Sequence, residues 1–131
     1  MSHCLIDYKL YGYVMKLYHI SKYQQAKTIQ SEGFVDPVGA YGVIAEEALW
    51  RPYALKGVFF YEHPKGYNAF SSGEQMAVFV VDFPGDLIGR FEVLEEEDEV
   101  REGYREWCIP ADIANQYFID RTIYSLEDFL G

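Results

Sequence analysis

Three short segments hold the side chains best suited to chemistry: Tyr18-His19-Ile20-Ser21, Lys56-Gly57-Val58-Phe59-Phe60 and Arg105-Glu106-Trp107-Cys108-Ile109-Pro110. Each ends a strand or opens a loop with reactive groups in place. Taken singly, each also has an ordinary reading. A histidine at a strand end is usually a satisfied structural group, a glutamate between Arg105 and Trp107 an outward-facing residue, and a Gly-Val-Phe-Phe run core. Cys108 with His19 would make a thiol nucleophile, but no base with its orienting partner accompanies them. His3, His19, His63 and Cys108 lack the spacing of metal ligands, so no metal is expected. No Gly-rich phosphate-binding signature precedes a helix, which argues against Rossmann and P-loop folds.

The elements that must position these groups read as follows. Lys16 to Ile20 is the first core strand, and the residues before Met15 show no period. The chain therefore divides into an extension, 1–14, and one domain, 15–131, with Met15 a candidate original start. Ser21-Lys22-Tyr23-Gln24 has the form of a capping box opening a helix through Gln30. Tyr23, Ala26 and Ile29 fall on one face of that helix, and Gly33 stops it. Phe34 to Leu55 reads as an ordered loop with a turn of helix near Glu46–Trp50. Gly57 to Tyr61 and Met76 to Asp82 are β-rich runs, the second ended by Pro84-Gly85. A turn and short helix are expected over His63–Ser72, and strands over Gly89–Leu94, Tyr104–Ile109 and Gln116–Tyr124. A short helix opens at Pro110. The sum is an α+β fold: a single compact domain with a split mixed β-sheet of about six strands and two or three short helices.

Composition narrows the class. Half the residues are apolar and 18% are aromatic, enough to build a core in a chain of 131 residues. No apolar run approaches the roughly 20 residues of a membrane span. The first residues lack a basic-then-apolar leader, and two distant cysteines, Cys4 and Cys108, suit a reducing compartment; a cytoplasmic protein is expected. The net charge is −10, and seven acids against one base lie between Glu92 and Glu102. That stretch reads as a solvated loop, since it lacks the spaced ligands and turn glycine of a calcium loop. Nucleic-acid binding needs Lys and Arg to neutralise phosphate, and this balance argues against it.

The order of the motifs adds to their individual readings. Leu17-Tyr18-His19, Ser31-Glu32-Gly33-Phe34, Lys56-Gly57-Val58-Phe59-Phe60 and Glu106-Trp107 together resemble the catalytic domain of the poly(ADP-ribose) polymerase branch of ADP-ribosyltransferases. The resemblance spans roughly Leu17 to Tyr124. The compact size and the MAVFVVDFPG strand are similar to small bacterial ADP-ribosyltransferases. The resemblance implies an ADP-ribosyltransferase-like fold that binds NAD bent over a split sheet. His19 would then hold a ribose hydroxyl, and the backbone of Ile20 would pair with the nicotinamide amide. Ser21, Gly57, Phe59, Tyr61 and Phe70 would complete the cofactor site. Glu106 would bind the 2′-hydroxyl of the nicotinamide ribose and stabilise positive charge as the glycosidic bond breaks.

The implied function is mono-ADP-ribosylation of a protein or small-molecule acceptor, with nicotinamide released. The chain departs from the family at Phe59, where the family has tyrosine, and at Ile20, where it has glycine. Two alternatives stay open, the first favoured if those departures disable chemistry. One is a non-catalytic module that binds NAD, ADP-ribose or a protein. The other is an RNA 2′-phosphotransferase-like enzyme, for which the basic residues Arg51, Lys56, Lys65 and Arg90 are few and scattered.

Overall fold

A computed structural model describes residues 13–36, 41–44, 53–54, 57–64, 75–94 and 105–130. Strand β1 (Val14–Lys22) runs into helix α1 (Tyr23–Glu32), followed by β2 (Tyr41–Ile44), β3 (Tyr53–Ala54) and β4 (Val58–Tyr61). Strand β5 (Met76–Pro84) leads to the short helix α2 (Gly85–Ile88), a 3₁₀ turn (Gly89–Phe91) and β6 (Val93–Leu94). Then come β7 (Glu106–Ile109), α3 (Ala111–Tyr117), β8 (Tyr124–Ser125) and α4 (Glu127–Leu130). The result is an α+β domain.

Two sheets form, one of five strands in the order β7-β4-β1-β5-β8 and one of three in the order β3-β2-β6. A bridge between Glu92 and Trp107 ties the second to the first. Every described pairing is antiparallel, so the expected mixed sheet is corrected. Apolar periodicity places residues on faces and is blind to strand direction, which the connections decide.

The longest ladder joins β1 to β5 from Val14↔Pro84 to Lys22↔Met76. Both are nine residues long, and β5 lies inside the sheet between β1 and β8, with Ala77, Val78, Phe79, Val81 and Phe83 all buried. That burial on both faces explains its unbroken apolar run. Side chains alternate between faces along each strand. One face carries Leu17, Phe60, Phe79, Val81, Phe83 and Trp107 into the main core, closed by Ala26 of α1, Ala111 and Ala114 of α3, and Phe34 and Phe118. The other carries Met76 and Val78 with Tyr18 and Ile20, covered by Leu126 and by Phe129 of α4.

Several local expectations change once the ladder is in place. Ser21 stays in β1 opposite Ala77, so helix α1 starts at Tyr23 with Lys22 at its N-cap and no side-chain cap. The ladder outcompetes the capping box, and Tyr23 N–H instead donates to Gln75 O at 3.1 Å. Gly33 does end α1, at φ 87° with its N–H donating to Ile29 O at 2.8 Å. That left-handed backbone suits glycine. Strands β2 and β3 lie inside the expected 34–55 loop. The strand expected over Gly89–Leu94 is a 3₁₀ turn and two residues of β6.

The strand expected over Gln116–Tyr124 contracts to Tyr124–Ser125, because α3 continues through Tyr117. Asp120 then forms a turn, its Oδ1 accepting from Thr122 N–H at 3.1 Å and from Thr122 Oγ–H at 2.6 Å. Near the start, β1 opens one residue before Met15. Tyr13 O accepts from Gly85 N–H at 2.6 Å, and a Cβ on Gly85 would strike the Tyr13 ring. The turn expected near Glu46–Trp50, most of the acidic stretch and residues 1–12 lie outside the described residues. No helix among the described residues is long and apolar enough to cross a membrane.

Candidate functional site

The three motif strands are neighbours. β7 carries Glu106, β4 carries Phe59 and Tyr61, and β1 carries His19, Ile20 and Ser21, side by side in the order β7-β4-β1. Register then decides which side chains meet. Glu106 lies opposite Tyr61, and Tyr61 opposite Tyr18, forming one row across three strands. Phe59 lies opposite Cys108, and continuing the β1–β4 register by two residues sets Ile20 beside Phe59 as the next row. Glu106, Tyr61, Tyr18, Phe59 and Ile20 therefore share one face, and each is half-buried. A carboxylate at one end of a patch of three aromatic rings suits a flat, positively charged or electron-poor ring.

Tyr18 is the member that motif reading missed. It was legible all the same: Ile20 on the site face puts the residue two before it on the same face.

His19 and Ser21 alternate to the opposite face. The His19 ring packs among the core aromatics, its centroid 5.1 Å from Phe34 and 5.7 Å from Phe60. Its Nδ1–H donates to Phe59 O at 2.8 Å, so the ring ties β1 to β4. A carbonyl only accepts, which assigns the proton to Nδ1 and leaves Nε2 with a lone pair in the neutral ring. His19 and Glu106 are thus two strands apart, roughly 10 Å, on opposite sides of the sheet. The Ser21 hydroxyl is buried and has no hydrogen-bond partner among the described residues, a state that costs about 1–3 kcal/mol.

Gly57 is buried where β4 meets the end of β7. A Cβ there would lie 2.8 Å from Cys108 Sγ and 3.0 Å from Ile109 O, so glycine is what lets the two segments approach. Phe70, the remaining residue implied for the cofactor site, lies outside the described residues. Arg105, beside Glu106, turns to Glu92, donating through Nε at 2.8 Å and Nη2 at 2.7 Å while its guanidinium lies over Trp107. Burial, with the nearby charges of Asp36 and Glu106, pushes the Cys108 thiol up to about 11. It is protonated at neutral pH, which disfavours a thiolate nucleophile. Among the described residues no three metal-ligating side chains cluster.

Burial holds His19 below its ordinary value of 6.5, partly offset by the hydrogen bond to Phe59. The unfolded chain therefore takes up the proton first. Stability is full above about pH 6.5 and falls as pH drops from there toward the lowered folded value. Thermal midpoints measured from pH 8 to pH 5 should show this loss, and His19→Phe should flatten the part that His19 contributes. Superimposable pH profiles for the two proteins would remove His19 as a buried neutral group.

Comparison with family models, with curated proteins and with solved structures finds no match to this chain.

Proposed function

We propose that the protein binds NAD on the face shared by Glu106, Tyr61, Tyr18, Phe59 and Ile20. There it transfers ADP-ribose to a protein side chain or small molecule. The observation that carries this reading is the row Glu106–Tyr61–Tyr18 with Phe59 and Ile20 beside it, on adjacent strands. The nicotinamide ring of NAD is a flat cation, suited to aromatic faces with a carboxylate at their edge. Glu106 accepts a hydrogen bond from the 2′-hydroxyl and opposes the charge that grows on the ribose. The C1′–N bond breaks with its electron pair leaving on nicotinamide. The acceptor's nucleophilic atom then bonds C1′ and gives up its proton.

Binding without turnover is the second reading, favoured by one observation: His19 and Ser21 face the core side, away from Glu106. Two measurements on the same protein separate the readings. Millimolar NAD should raise the thermal midpoint, because a ligand selective for the native state stabilises it by RT ln(1 + [L]/Kd). Nicotinamide release should accompany it if transfer occurs. A shift without release selects the binding module. No shift with a cooperatively folded protein removes both.

A further inference from the structure

The aromatic row is not open at its β1 end. Phe129 of helix α4 packs on Tyr18, and Leu126, just before the helix, is buried beside Met76 and Val78. The Phe129 ring stands edge-on to Tyr18 at 5.6 Å and to Tyr124 at 5.7 Å. Phe129 thus occupies ring surface that a stacked ligand would need. The hold on this helix is light. Leu126 N–H donates to Met76 O at 3.0 Å, and Phe129 N–H to Leu126 O at 3.0 Å. Two further bonds, Glu127 N–H to Ser125 Oγ and Ser125 N–H to Asp128 Oδ2, are both long at 3.3 Å. A four-residue helix has too few internal bonds to persist alone, so its position depends on these contacts and on one half-buried ring.

We propose that α4 is an autoinhibitory strap whose Phe129 closes the β1 end of the NAD face and swings off Tyr18 to admit the ligand. This rests on the site reading given above. A closed state that dominates the free protein lowers apparent affinity by the fraction that is open.

Removing the ring should therefore tighten binding. Phe129→Ala is expected to lower the Kd for NAD severalfold by calorimetry while its melt stays cooperative. It should also bind the apolar dye anilinonaphthalene sulfonate at the bared Tyr18 surface, where wild type gives little signal. Should Phe129→Ala not fold, Phe129→Leu keeps most of the apolar cover but loses the ring edge, and is expected to tighten NAD binding without gaining dye. Unchanged or weaker NAD binding in a folded variant of a wild type that does bind NAD overturns the strap. If no form binds NAD, the site reading falls and the strap falls with it, whatever the dye shows.

Discussion

Glu106→Gln is expected to slow nicotinamide release from NAD by about 10²-fold or more, with NAD affinity changed by less than about tenfold. The amide keeps the shape of the carboxylate and still hydrogen-bonds a 2′-hydroxyl. It lacks the negative charge, whose value is greatest when the ribose becomes oxocarbenium-like and least in the bound ground state. The position makes the test clean. Glu106 begins β7, is half-buried, and stands opposite Tyr61 at the edge of the ladder, so the substitution leaves the core untouched. Thermal midpoints of the two proteins should agree within a few degrees. Single-turnover rates and calorimetric Kd values, measured side by side, check the split between binding and turnover. Equal rates for both proteins would end the catalytic role of Glu106 and leave the binding module as the reading.

The largest structural effect should come from the opposite face. Phe60→Ala is expected to cost about 3–5 kcal/mol, a large part of the 5–15 kcal/mol that holds a typical domain together. Phe60 is fully buried, with the rings of Phe83 at 5.1 Å, Phe34 at 5.4 Å and His19 at 5.7 Å. Truncation removes its transfer energy, leaves a cavity the sheet cannot close, and loses the edge-to-face contacts with Phe83 and Phe34. Urea denaturation should show a lower midpoint with an unchanged slope. Phe59→Ala, one residue away on the half-buried face, should cost clearly less. A loss below about 1 kcal/mol for Phe60→Ala would mean that the aromatic cluster is not the centre of the core.

Much of the fold was legible as pattern. The apolar run at Met76–Asp82 became β5, Gly57–Tyr61 became β4, and Gly33 closed α1, because strand burial and a left-handed glycine leave signatures in consecutive residues. Ser21 shows where pattern fails. Its side chain and that of Gln24 have the spacing of a capping box, yet nine ladder pairs with β5 hold Ser21 in the strand. Local hydrogen-bonding choices yield to a long-range ladder whenever the ladder satisfies more backbone groups. The bounds of the short β8 and the turn at Asp120 were likewise invisible, since a two-residue edge strand has no period to read.

The sequence by itself determined the composition class, the existence of the three motif strands, and the alternation that gives each strand two faces. It also supplied the residues of the candidate site except Tyr18. Tertiary structure alone decided that β7, β4 and β1 are adjacent, that their pairings are antiparallel, and which registers they adopt. Those registers put Glu106, Tyr61 and Tyr18 in one row and sent His19 to the other side, where its imidazole joins the core and binds Phe59 O. The reason is the period of two along a strand. A one-residue change of register exchanges the faces of every side chain, and register is set by partners distant in sequence, which no local motif encodes.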